Sequence, residues 1–172
     1  DVRDLTEASQ KGRQEAMQAL AALRAAVPGF EHAKLRNFSM TLGVRDSRKI
    51  NGRYRLTEQD VTGQAEFADT VGILPEFLDG YNVLVLPSTG RYFQVPYGCL
   101  VPDAVDNLLV AGRAVAGDRI SHAAMRNMMA CTVSGQAAGT AAAVSLRDGT
   151  STGTVDISAV QEELRRQGVR IA

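Results

Sequence analysis

Reactive side chains are scarce in this sequence: 172 residues contain two cysteines and two histidines. Cys99 and Cys131 are far apart and form no Cys-x-x-Cys pair, and with His32 and His122 they make no metal-ligand set. Buried, reduced thiols of a cytoplasmic protein are expected instead. An excess of charge is missing too. Lys plus Arg is 19 and Asp plus Glu is 19, so no net field draws nucleic acid or an anionic membrane. Long apolar runs are also missing. The Ala-rich stretch near residue 140 is interrupted by Thr132, Ser134, Gln136 and Thr140, whereas a membrane span needs about 20 mostly apolar residues. A buried helix of a soluble protein is expected there. The opening Asp1-Val2-Arg3-Asp4 is charged and no apolar run follows, so no signal peptide is expected. No internal repeat is found, and no Gly-x-Gly-x-x-Gly turn of the kind that cradles a dinucleotide pyrophosphate.

What is present suffices for one folded domain. The apolar fraction is 45%, ordinary for a globular chain. Three of the 19 cations are Lys (Lys11, Lys34, Lys49), leaving 16 Arg. Arg suits bidentate contacts to carboxylate or phosphate, but a bias of this kind also arises from codon composition.

An amphipathic helix opens the chain, with Asp4 as cap, Glu7 three residues later, Met17, Leu20, Leu23 and Val27 near one face, and Pro28-Gly29 as its stop. Asn51-Gly52 reads as a turn between extended segments. Thr57 and Asp60 form a capping box for a short helix. Asn82 to Leu86 reads as a strand, Pro87 to Gly90 as a turn and Arg91 to Val95 as the returning strand. Asn107 to Ala111 is a short apolar run, the pattern of a strand buried on both faces. A helix is expected from Met125 to Leu146, and a last one capped by Asp156 or Ser158, with Val160 and Leu164 inward and Gly168 as its stop. The fold class expected is α/β to α+β. A lone parallel-type strand needs neighbours, which first suggests that this chain is part of something larger.

Within the long helix, Gly135, Gly139 and Ala143 recur every four residues and share one face. Small residues at that spacing permit close helix packing, with or without a ligand. Its start follows an apolar segment, Gly112 and a polar loop holding Asp118, Arg119, Ser121, His122 and Arg126. A helix start offers unpaired N–H groups and partial positive charge. That suits an electron-rich ligand edge such as a flavin pyrimidine ring.

The stretch YFQVPYGCLVPDAVDNLLVAGRAVAGDRISHAAMRNMMACTVSGQAAGTAAA resembles the C-terminal FAD-binding segment of FAD-dependent oxidoreductases with the glutathione-reductase-type FAD fold. GVRDSRKINGRYRLTEQDV is similar to a stretch further upstream in the same family. The resemblance runs from about Leu5 to Gly168. It implies that Gly112 and Arg113 approach the ribityl-pyrophosphate of FAD, and that the backbone of Asn127, Met128 and Met129 meets the pyrimidine edge. It implies that His122 and Arg126 face flavin and substrate, and that Tyr97, Gly98 and Cys99 pass near the isoalloxazine ring. Gly98 replaces the Arg usual before the Cys, which removes a cationic substrate contact. The family's glycine-rich βαβ half is not in the sequence. The resemblance therefore implies a C-terminal portion of a flavoprotein: a fragment, a proteolytic product or one subunit of a split enzyme.

The candidate catalytic residues are His122 and Arg126. His122 is either a proton donor or acceptor or a cap for the helix that follows. Arg126 either clamps a substrate carboxylate or pairs with Asp118 or Asp103. Arg45 and Arg48 are weaker substrate candidates, since in extended chain they point to opposite faces. Nothing in the sequence gives Cys99 a low-pKa setting for redox or covalent flavin chemistry. The domain division expected is 1–100 for part of a substrate domain, 101–150 for the end of an FAD-binding domain and 151–172 for a closing helix and tail. The expected function is hydride transfer between a small, carboxylate-bearing substrate and FAD, with FAD held by the complete protein and not by this chain alone. The alternative is a non-catalytic pairing or scaffold module. Expected partners are the missing FAD-binding half (on the same chain or a separate subunit), a small-molecule substrate and a second copy in a homo-oligomer, with neither nucleic acid nor membrane.

Overall fold

In the computed structural model, which describes residues 1–81 and 83–172, two units separate, residues 1–45 and 46–172. The first holds α1 (Val2–Ala26) and the irregular chain after it. The helix begins earlier than the sequence suggests. Asp1, not Asp4, is the cap: its carboxylate accepts from Arg3 N at 2.6 Å and Asp4 N at 3.1 Å, and Asp4 completes the box. No residue of α1 is buried. After the turn at Pro28-Gly29 the chain folds back, with Arg24 Nε donating to Ala33 O at 2.7 Å and the Arg13 guanidinium 5.9 Å from the Phe38 ring centre.

The second unit is built around an extended segment, residues 50–56, between residues 97–101 on one side and 114–118 on the other. Arg53 N donates to Val101 O at 3.0 Å and Tyr54 N to Gly98 O at 3.1 Å; Ile50 N donates to Ala114 O at 2.9 Å and Asp118 N to Leu56 O at 2.8 Å. The turn expected at Asn51-Gly52 is therefore absent. Gly52 serves close approach instead, since a Cβ there would lie 2.7 Å from the Ala116 Cβ. The Thr57/Asp60 capping box starts α2 (Glu58–Thr62) as expected.

Four strands follow: β1 (Thr70–Pro75), β2 (Leu78–Gly80), β3 (Val83–Val85) and β4 (Tyr92–Pro96). The expected pairing of 82–86 with 91–95 does not form, and Asn82 lies outside the described residues. β3 pairs antiparallel with β2, and β4 pairs antiparallel with β1, as two separate sheets. β1 escapes sequence reading because Gly72 and Pro75 dilute its β-pattern. The 107–111 run is not a ladder strand: it starts in a turn and continues as irregular chain. Val110 N donates to Leu100 O at 2.9 Å, Asn107 takes φ 53°, and Leu108 is 43% exposed. An apolar run of this type needs flanking strands, and none pairs with it among the described residues.

The helix expected from Met125 to Leu146 is α4 (Met128–Asp148); the polar loop expected before it holds a further helix, α3 (Arg119–Met125), and the two are separated at Arg126 and Asn127. Asn127 turns extended, with ψ 155°, and its side-chain amide donates back to Ala123 O at 3.1 Å and Ala124 O at 3.2 Å. α5 (Ile157–Arg166) is capped by Asp156 and buries Val160 and Leu164. The core gathers Leu56, Val71, Leu74, Phe93, Val95, Leu100, Met125 and Val144 with these two. The architecture is mixed α+β. Among the described residues no helix is long and apolar enough to cross a membrane.

α4 corrects the packing argument. Its buried face carries Ala130, Ser134, Ala137, Ala141 and Val144. Gly135 and Gly139 lie on the opposite face, exposed, with nothing within 4 Å of a Cβ built on either. Close approach to the sheet is supplied by the strand: a Cβ on Gly72 of β1 would lie 2.5 Å from Val133 Cγ1.

Candidate functional site

Helix α3 positions the charged candidates. Asp118 caps it, accepting from Ser121 N at 2.7 Å and, across the fold, from Glu58 N at 2.8 Å. Ser121 Oγ donates to Leu56 O at 2.8 Å. These bonds tie α3 to α2 and to segment 50–56. Burial alone would raise the Asp118 carboxyl, but the hydrogen bonds from Ser121 and Glu58 outweigh it and hold the group below the usual carboxylate range.

His122 follows, 2% exposed. Its Nε2 lies 3.2 Å from Asp46 Oδ1. Asp46 also accepts from Lys49 Nζ at 2.8 Å and from the Tyr81 hydroxyl. Burial pushes the Asp46 carboxyl up, yet the Lys49 hydrogen bond and the charges of His122, Lys49 and Arg126 bring it below its ordinary value. Tyr81 stands in the turn between β2 and β3 at φ 55°, its ring covered by the Arg119 guanidinium 4.1 Å from the centre. The residue that caps α3 at its end is Arg126. Its fork bonds Asp79 O and lies 3.5 Å from the Asp79 carboxylate, with the Arg126 side chain 9% exposed. The ion pair is made with β2, not with Asp118 or Asp103. Gly80 makes room for it, since a Cβ there would lie 3.2 Å from an Arg126 nitrogen.

The start of α4 is different in kind. α1, α2, α3 and α5 each begin with a side chain bonded to the first turn, whereas α4 has none, because Asn127 is turned back onto α3. Its first N–H groups therefore have neither an intrahelical partner nor a side-chain cap. Met128 is 87% exposed and Met129 is 49% exposed at this end. Gly112 and Arg113 lie in a single 3-10 turn, Gly112–Ala114, beside the second turn of α4. Gly112 takes φ 76°, its N–H donates to Ser134 Oγ at 2.9 Å, and a Cβ on it would meet Cys131 Sγ at 3.8 Å. The five residues expected near a cofactor are thus collected around one end of one helix.

Tyr97, Gly98 and Cys99 form another 3-10 turn after β4. Gly98 borders a cleft of about 280 Å³ with Arg53, Asp69 and Tyr97. Gly98 N donates to Asp69 Oδ2 at 2.9 Å and Tyr97 Oη to Thr152 O at 2.7 Å. A Cβ at residue 98 would lie 2.9 Å from Tyr54 Cβ, so the glycine fits a backbone with no space for a larger residue. Burial pushes the Cys99 thiol up to about 12, which makes it a poor nucleophile at neutral pH. Arg45 closes the first unit and is exposed; Arg48, in the second, is exposed too. Sequence reading passed over Asp46, Tyr81, Asp79 and Ser134. Asp46 lies between the two arginines that drew attention, and Ser134 was visible only as a polar interruption.

A family model described as FAD dependent oxidoreductase matches residues 1–164. No curated protein and no solved structure matches the chain.

Proposed function

The chain belongs to the FAD dependent oxidoreductase family, and from that premise we propose that it is the C-terminal portion of a flavoprotein with the glutathione-reductase-type FAD fold, acting in hydride transfer between a small carboxylate-bearing substrate and FAD. The observation that carries this is the uncapped start of α4 beside the Gly112 turn. The fit is chemical. A helix start with open N–H groups and partial positive charge accepts an electron-rich ring edge or a phosphate, and Gly112 in the left-handed region presents backbone without a side chain. Gly112, Arg113 and the backbone of Asn127, Met128 and Met129 would hold the cofactor. Bound there, FAD supplies the hydride acceptor. His122 holds or releases a proton. Arg126 orients a substrate carboxylate, which would take the place that Asp79 occupies.

The outer face of α4 supports a missing partner. Met128, Thr132, Gly135, Gly139, Ala143 and Leu146 line it, uncharged and exposed. Until Arg147 and Asp148 the helix carries no charge, so no charged group on this face opposes a covering partner. The occupant proposed is the glycine-rich FAD-binding half, on the same polypeptide or a separate subunit, and the apolar run 107–111 would join its sheet. The test is to purify this chain alone and then with that half, and to record visible flavin absorbance of each. Flavin on the pair but not on the chain alone is expected. No flavin on either would leave a pairing or scaffold module as the reading.

A further inference from the structure

We infer that Asp46 is the positioning residue for His122, holding the imidazole by Nε2 and setting its readiness for proton transfer. This deepens the reading above and rests on it. His122 is almost wholly buried, and burial disfavours the charged ring. A carboxylate at 3.2 Å from Nε2 reverses that. It stabilises the imidazolium, and by accepting from Nε2–H it fixes the tautomer and plane of the neutral ring, as the acid of a catalytic triad does. Asp46 is itself held at both oxygens: Lys49, three residues along the same segment, bonds Oδ1, and Tyr81 from the β2–β3 turn bonds the other. Two groups brace the arrangement from α3. Arg119 lies on the Tyr81 ring and Arg126 is bonded to Asp79 of β2.

Four charged side chains act on His122 directly or through a neighbour. Asp46 touches the ring, Lys49 competes for Asp46, and Arg126 lies one turn along the helix with its charge turned to Asp79. Arg119 acts through Tyr81. Asp46 is the acid in contact. With a side chain 29% exposed against 1% for His122, it is also the link between the buried ring and water.

The experiment is ¹⁵N NMR titration of the two histidine rings of the full chain, with His32→Gln giving the assignment. His122 should carry its neutral proton on Nε2. Asp46→Asn should lower its pKa by about one unit or more, with His32 unmoved and Asp46→Glu restoring most of the shift. An unchanged His122 titration in folded Asp46→Asn overturns the inference. If Asp46→Asn does not fold, Lys49→Gln decides: freeing Asp46 from its cation should raise the His122 pKa, and no rise overturns the inference. In the complete flavoprotein, His122→Gln tests the proton-transfer reading separately. Retained turnover there sinks that reading, while the titration still judges the Asp46 contact.

Discussion

Ser134→Ala tests whether the Gly112 turn is held by α4. Ser134 Oγ, fully buried, accepts from Gly112 N at 2.9 Å and donates to Ala130 O at 2.6 Å. Removing the hydroxyl leaves the half-buried Gly112 N–H without this acceptor, at a cost of about 1.5 kcal/mol. The Ala130 carbonyl keeps its helical bond, so that loss is minor. Ala is the better helix former by about 0.5 kcal/mol. The net is about 1 kcal/mol of destabilisation, or a Tm lower by about 2–4 °C in a chain of this size. Ser145→Ala in the same helix is the internal control. Ser145 is equally buried, but its hydroxyl donates to Ala142 O at 3.0 Å and closes no long-range bond, so its replacement should leave Tm unchanged or slightly higher. Thermal unfolding followed by circular dichroism gives both values, and amide exchange should show lower protection at Gly112 in Ser134→Ala alone. If Ser134→Ala melts with Ser145→Ala, at or above the native chain, the turn is not held by this bond.

Four further outcomes are expected. Gly52→Ala should destabilise by about 1–3 kcal/mol in urea unfolding, because the new Cβ meets the Ala116 Cβ at 2.7 Å and two carbonyl oxygens just beyond 3 Å. Gly139→Ala should raise stability by up to about 1 kcal/mol, since the helix position is open and Ala reduces backbone freedom in the unfolded chain; a loss would mean that the outer face of α4 is covered within this chain. Asp118 is held below its usual range by the Ser121 and Glu58 bonds that outweigh its burial. Its contribution is thus present above the unfolded value of about 3.9 and disappears as pH falls through the lower folded value. The stability gap between the native chain and Asp118→Asn should shrink between neutral pH and about pH 3, and a gap that widens with acid would contradict the sign. Cys99, pushed up to about 12 by burial, should resist iodoacetamide at pH 8 in the folded chain and react once urea unfolds it.

Local chemistry was legible in the sequence where one short segment decides the outcome. The Thr57/Asp60 box, the Asp156 cap and the Val160/Leu164 face follow from side chains within a turn of each other. Pairing was not legible. β4 pairs with β1 across the intervening β2–β3 hairpin, and β1, with Gly72 and Pro75, carries little alternation to announce itself. The Asn51-Gly52 pair was misread because a glycine required by a tertiary contact looks the same as one required by a turn. Helix α3, in a stretch read as a polar loop, was hidden for a related reason: Asn127 is a fair helix cap in either direction, and only the fold decides that its side chain serves the end of α3. At the site, the charged candidates were visible as residue types, but their partners come from segments far off in sequence. Asp46 reaches His122 over 76 positions (122 less 46), and Asp79 reaches Arg126 over 47.

The break at Arg126 and Asn127 also separates two kinds of chemistry that a continuous helix would have merged. Up to residue 126 the side chains do the work: Asp46 bonds His122 and Tyr81, Arg119 stacks on Tyr81, and Arg126 bonds Asp79 of β2. From residue 128 the backbone takes over, with open amides, a facing Gly112 turn and a helix whose charges are confined to its last two residues. Had the helix run through, residues 128–130 would have bonded their amides to carbonyls one turn back, as Cys131 N does to Asn127 O at 3.0 Å, and the open start would not exist. Asn127 prevents this by going extended and bonding Ala123 and Ala124. Its side chain thus secures the end of the charged helix and, by the same act, leaves the start of the uncharged one open.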